Sequence, residues 1–215
     1  MEEEHEGLTP DEIKFKEQSK MRNIMIENFN TMVRYQKSIQ GPGINKISEI
    51  TPHLLLSNYD ASLDFVNLKE NGINFILYFG TKERDQTLLN RYKNKDIETR
   101  QIQLPDVENN QNPPNVQSYL DPVYNILHSL VLDEKKILLC CDRGVSLSVC
   151  FLMYYFLKRY YLINIEKNKN ALMNIKNVFI TDILKFIKDI RVCIDVHPGF
   201  LQQLVMIEMN YKNKS

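Results

Sequence analysis

Cys141 ends an apolar run, Ile137-Leu138-Leu139-Cys140, and Gly144, Ser146 and Ser148 follow before a second apolar run starts at Val149. This pattern puts a thiol where a strand gives way to a loop and then to a helix. In open α/β sheets, ligands bind at the carboxyl ends of strands, beside the start of the next helix. A helix start offers unpaired N–H groups and the positive end of a dipole, both suited to phosphate, and the same field favours thiolate. Gly144 permits the tight turn that aims consecutive N–H groups inward, and Ser146 and Ser148 supply hydroxyls. The stretch Cys141-Asp142-Arg143-Gly144-Val145-Ser146-Leu147-Ser148 therefore reads as an anion cradle with a thiol at its base, or as a buried strand-end cysteine beside an ordinary turn.

The elements that would position this loop follow from the hydrophobic pattern. Ile47–Ile50 and Leu54–Leu56 read as strands, Ala61–Asn71 as a helix stopped by Gly72, and Ile73–Phe79 and Thr99–Leu104 as further strands. Asn109–Asn115 is a proline- and asparagine-rich loop. Ser118–Leu132 reads as a helix, Ile137–Cys140 as a central parallel strand, Val149–Tyr161 as a buried helix, and Ile180–Ile190 and Phe200–Tyr211 as amphipathic helices. Strands alternating with helices predict an α/β fold, a central, mainly parallel sheet flanked by helices. Before it, Thr9-Pro10-Asp11-Glu12 is a helix start with a capping box, and Met21, Ile24, Met25, Phe29, Met32 and Val33 recur at helical spacing up to Gly41-Pro42-Gly43. Residues 1–43 thus form an N-terminal helical extension, packed on the domain or free to bind a protein partner. Residues 44–211 form the domain and 212–215 a tail.

Composition narrows the partners. The chain has 215 residues, 43% hydrophobic and 25% charged, enough for one core, and its 27 basic and 27 acidic residues balance. No bulk charge draws it to nucleic acid or to an anionic membrane. There is no signal-peptide core and no apolar run of about 18 residues that would span a membrane. The four cysteines, Cys140, Cys141, Cys150 and Cys193, form no CxxC set, so no metal site and no cofactor is expected. A reduced, cytoplasmic protein, with the nucleus also open, is the simplest placement. The adjacent Cys140 and Cys141 admit a redox reading, although alternation along a strand would send one to the core and the other to the loop. His53, His128 and His197 read as structural or surface residues.

Taken together, these motifs resemble the cysteine-based phosphatases, in their dual-specificity branch. That family's loop runs His-Cys-x-x-Gly-x-x-Arg-Ser, and this chain has Cys140-Cys141-Asp142-Arg143-Gly144-Val145-Ser146-Leu147-Ser148. Further matches are Ile50-Thr51-Pro52-His53-Leu54, Tyr59-Asp60-Ala61-Ser62, Gly72-Ile73 through Leu77, Leu104-Pro105-Asp106, and Arg191 with Pro198-Gly199-Phe200 through Leu204. The resemblance implies that Cys141 is the nucleophile, that Asp106 protonates the leaving oxygen (with Glu108 as rival), and that Ser148 hydrogen-bonds the departing sulfur. Residues 142–147 would hold the phosphate of a phosphorylated protein, on Tyr or on Ser/Thr.

Two positions depart from the family. Cys140 stands for the histidine, and Leu147 for the arginine that grips two phosphate oxygens and stabilises the transferring phosphoryl group. Losing a single preorganised donor typically costs about 10²–10³ in rate. Arg143 is a candidate substitute cation, or simply a partner for Asp142. The expectation is a dual-specificity phosphatase-like domain, catalytically impaired, that acts as a phosphoprotein-binding or scaffold module. The alternative is a slow Tyr/Ser/Thr phosphatase with Cys141 as nucleophile. The segment Tyr161–Asn177 is longer than the family's usual connection and reads as a surface insertion, or as an extra helix at a docking surface.

Overall fold

A computed structural model describes residues 43–80, 82–104, 114–167 and 179–213, together with 16, 19–20, 22–23, 26–27 and 29–32 of the N-terminal arm, all helical. Five strands form one sheet: β1 (Ser48–Thr51), β2 (Leu54–Asn58), β3 (Phe75–Gly80), β4 (Glu98–Gln103) and β5 (Ile137–Cys141). Their spatial order is β1-β2-β5-β3-β4. Only β1 runs antiparallel; β2, β5, β3 and β4 are parallel. The three inner strands are buried on both faces, which is why LLLSN, FILYFG and ILLCC carry no polar alternation.

The helices are α1 (Phe65–Glu70), α2 (Lys82–Tyr92), α3 (Gln117–Leu132), α4 (Leu147–Lys167), α5 (Phe179–Ile190) and α6 (Pro198–Asn213). Side chains alternate across the sheet into two cores. Leu54, Leu56, Leu77, Phe79, Leu139 and Cys141 join residues of α3, α4, α5 and α6 on one face. Leu55, Ile76, Tyr78, Leu138 and Cys140 join Leu68, Leu88 and Tyr92 on the other. Met32 of the N-terminal arm is fully buried in the first core, with Phe29 packed against it. That contact favours a packed arm over a free one.

Three expected elements differ. The single helix over Ala61–Asn71 is a 3₁₀ turn, Ala61–Leu63, followed by α1. Asp64 separates them in an extended conformation and caps α1 by accepting from the Asn67 N–H. Helix α2 escapes the hydrophobic pattern because, among its described side chains, only Leu88 and Tyr92, four residues apart, are buried. The helix expected over Val149–Tyr161 starts earlier and runs to Lys167. The Thr9 helix start, most of the Asn109–Asn115 loop and the insertion beyond Lys167 lie outside the described residues. Among the described residues, no helix is long and apolar enough to cross a membrane.

Candidate active site

The thiol of Cys141 lies at the carboxyl end of β5, in the middle of the sheet, where Asn58 of β2 and Phe79 of β3 flank it in register. Its neighbour Cys140 faces the opposite core, where burial pushes its thiol up. Strand alternation thus separates the two cysteines as expected. The Cys141 Sγ lies 3.2 Å from the Ser148 Oγ, and Ser148 is wholly buried in the first turn of α4. A hydroxyl there can hydrogen-bond the sulfur.

The loop between β5 and α4 is held from outside by its carbonyls. The Asp142 oxygen accepts from the Tyr59 N–H at 3.3 Å, Gly144 from Arg191 Nε at 3.1 Å and Val145 from the Asp195 N–H at 3.0 Å, while the Ser146 oxygen accepts from the Cys150 N–H at 2.9 Å as the first bond of α4. Among the described residues, the N–H groups of Arg143 through Ser146 meet no acceptor. Carbonyls turned outward and amides left over are the arrangement of an anion-binding nest. Gly144 is required for it. Its φ is +64°, and a Cβ there would come within 2.2 Å of the Ser57 carbonyl oxygen.

The back of the loop rests on the segment 191–197. Arg191 is 2% exposed; besides Gly144, its guanidinium donates to the Lys46 oxygen at 2.6 Å, the Ile44 oxygen at 2.9 Å and the Ser48 Oγ at 3.2 Å. Burial pulls this guanidinium below its ordinary value, and the nearby Cys193 and Cys141 oppose that shift; an arginine remains charged throughout. The Ser146 Oγ accepts from the His197 N–H at 2.9 Å, joining the loop to the start of α6. Ser146→Ala leaves that N–H without its acceptor and is expected to lower stability by about 1 kcal/mol, read from the midpoint of urea unfolding.

Leu147 is the loop position that the resemblance aligns with an arginine. Leu147 begins α4, is 4% exposed and belongs to the apolar core that includes Cys141. Arg143 is exposed and forms no ion pair among the described residues. Nor does it pair with Asp142, whose Oδ1 instead takes Arg84 Nη1 at 2.7 Å and the Tyr78 hydroxyl at 2.8 Å. Val145 is buried. Asp106 and its rival Glu108 lie outside the described residues. The chain returns at Pro114, where Gln203 of α6 accepts from the Val116 N–H at 3.0 Å and donates to the Pro114 oxygen at 3.3 Å.

The three histidines make local contacts away from the Cys141 thiol. His53 Nδ1 lies 3.3 Å from the Lys135 oxygen, and His197 Nδ1 accepts from the Gly199 N–H. His128 stacks on Tyr124, and burial lowers its basicity. Two cations near the loop gave no local signal in the sequence. Arg191 entered only as part of a matched segment, and Arg84 did not enter at all, because their partners lie tens of residues away along the chain.

No protein-family model matches the chain. It is 25% identical over 174 residues to human dual specificity protein phosphatase 18, covering 81% of this chain and 79% of that protein. Among solved structures, the human tyrosine phosphatase-like serine/threonine/tyrosine-interacting protein aligns over 77% of this chain and 97% of its own, with a TM-score of 0.58 and 19% identity. DUSP15 aligns over 78% and 93%, with a TM-score of 0.55 and 22% identity.

Proposed function

The chain carries a dual-specificity phosphatase-like domain, and from that premise we propose that it binds a phosphorylated protein side chain in the loop Cys141–Ser148 without turning it over efficiently. The observation that carries this reading is Leu147: where the family places a guanidinium over the phosphate, this chain places a buried aliphatic side chain in the core. The outward carbonyls and unengaged amides support anion binding. Amides alone give a weaker grip than amides with a bidentate cation, and far less stabilisation of the charge that develops on a transferring phosphoryl group. The partner is a phosphorylated protein on Tyr or on Ser/Thr, and the function is that of a binding or scaffold module.

The rival reading, a slow phosphatase using Cys141 and Asp106, draws support from the retained Cys141–Ser148 contact. Calorimetric titration separates a binder from a purely structural partner. A phosphotyrosine peptide is expected to bind at least about tenfold more tightly than its unphosphorylated form, a difference of about 1.4 kcal/mol. Equal affinity for the two peptides would sink the binding reading.

A further inference from the structure

Asp142 is a carboxylate that follows Cys141 directly in the chain, in a loop whose other features suit an anion. Three elements converge on it. Tyr78, near the end of β3, donates its hydroxyl to Oδ1, and Arg84, in the first turn of α2, pairs with the same oxygen. Tyr59, just after β2, holds both partners: its N–H donates to the Asp142 carbonyl, its hydroxyl donates to the Arg84 carbonyl at 3.1 Å, and its ring lies 4.8 Å from the Arg84 guanidinium. Gly80 completes the arrangement, since a Cβ there would come within 2.1 Å of the Tyr78 hydroxyl oxygen. The side chains of Arg84 and Asp142 are 45% and 41% exposed. At that exposure an ion pair adds little to stability, so the effort of placing it is better explained by what it does to the charge beside the loop.

We propose that Arg84, held on Asp142 by Tyr59 and Tyr78, sets the charge at the mouth of the loop, cancelling a carboxylate that would otherwise repel a phosphoryl group there. Arg84 acts through Asp142 and is a positioning residue of the site. The inference deepens the binding reading above and rests on it for its ligand. Like charges a few ångströms apart repel several times more strongly near a protein surface than in bulk water. An uncancelled Asp142 should therefore weaken a phosphate dianion by roughly five- to tenfold or more.

The test is a double-mutant cycle on the full chain with inorganic phosphate as probe, followed through the backbone amide resonances of Gly144 and Ser146. Arg84→Gln is expected to weaken phosphate about five- to tenfold. Asp142→Asn is expected to equal or exceed the wild type, and Arg84→Gln combined with Asp142→Asn to recover at least wild-type affinity. A double variant as weak as Arg84→Gln alone, or an Arg84→Gln that binds like the wild type, overturns the inference. A second readout needs no bound phosphate. Alkylation of Cys141 by iodoacetate at fixed pH should be several-fold slower in Arg84→Gln and restored in the double variant, because an uncancelled carboxylate repels the anionic reagent. If the wild type binds no phosphate but the alkylation rates follow this order, the binding reading fails and the charge role stands. Equal alkylation rates in all four proteins overturn the charge role.

Discussion

Replacing Arg191 with methionine is expected to remove about 3–5 kcal/mol of stability, among the largest losses that a single substitution can cause without opening a cavity. The guanidinium is 2% exposed and serves four acceptors: the oxygens of Gly144, Lys46 and Ile44 and the hydroxyl of Ser48. Methionine fills similar volume and donates to none of them. Each buried carbonyl left alone costs about 1–3 kcal/mol, with water relieving those nearer the surface. Three of the four acceptors lie in 44–48, which leads into β1 at Ser48, and the fourth is in the loop. The substitution should therefore also loosen the link between the start of β1 and the candidate site. Arg191→Lys keeps the charge but not the planar fork, and should fall between the two. Urea unfolding measures this directly, and a loss under about 1 kcal/mol would show that the carbonyls have other partners.

The second large effect is expected at Leu147. Leu147→Arg should raise turnover of an aryl phosphate by at least about 10²-fold, the usual worth of one preorganised donor in a transition state. It should also tighten inorganic phosphate by about tenfold or more, since a bidentate cation strengthens ground-state binding as well. The gain has a cost, because position 147 faces the apolar core. An arginine there must carry its head out into the loop or bury a charge. The variant is accordingly expected to be less stable than the wild type without anion and to regain stability as phosphate is added, as ligand linkage requires. Thermal unfolding with and without phosphate reads this out. A variant that is destabilised and indifferent to phosphate would mean that the guanidinium does not reach the loop.

Where function concentrates, much was legible along the chain. The β5–loop–α4 unit announces itself because every part of it is local. An apolar run must be a buried strand, a glycine marks the left-handed turn, and two serines flank the start of a long apolar helix. Cys140 and Cys141 divide between the two cores as alternation requires. The parallel sheet followed from the same periodicity, but α2 did not, because two buried side chains among its described ones leave almost no pattern. Nor did the electrostatics. The natural guess for Asp142 is its neighbour Arg143, yet the ion pair goes to Arg84, 58 residues earlier in the chain. Arg191 is illegible for a related reason: most of its partners are backbone oxygens, which every sequence possesses and none advertises. Charge pairing across a fold is set by tertiary contacts, whereas loop chemistry of this kind is set by a handful of consecutive residues.

The central claim is that this loop holds a phosphoryl group without transferring it, and one comparison tests it most directly. Hydrolysis of para-nitrophenyl phosphate should be measured side by side for the wild type and Cys141→Ser. The two rates are expected to be indistinguishable, both far below that of Leu147→Arg. Turnover in the wild type that disappears in Cys141→Ser would contradict it and establish the chain as a working phosphatase.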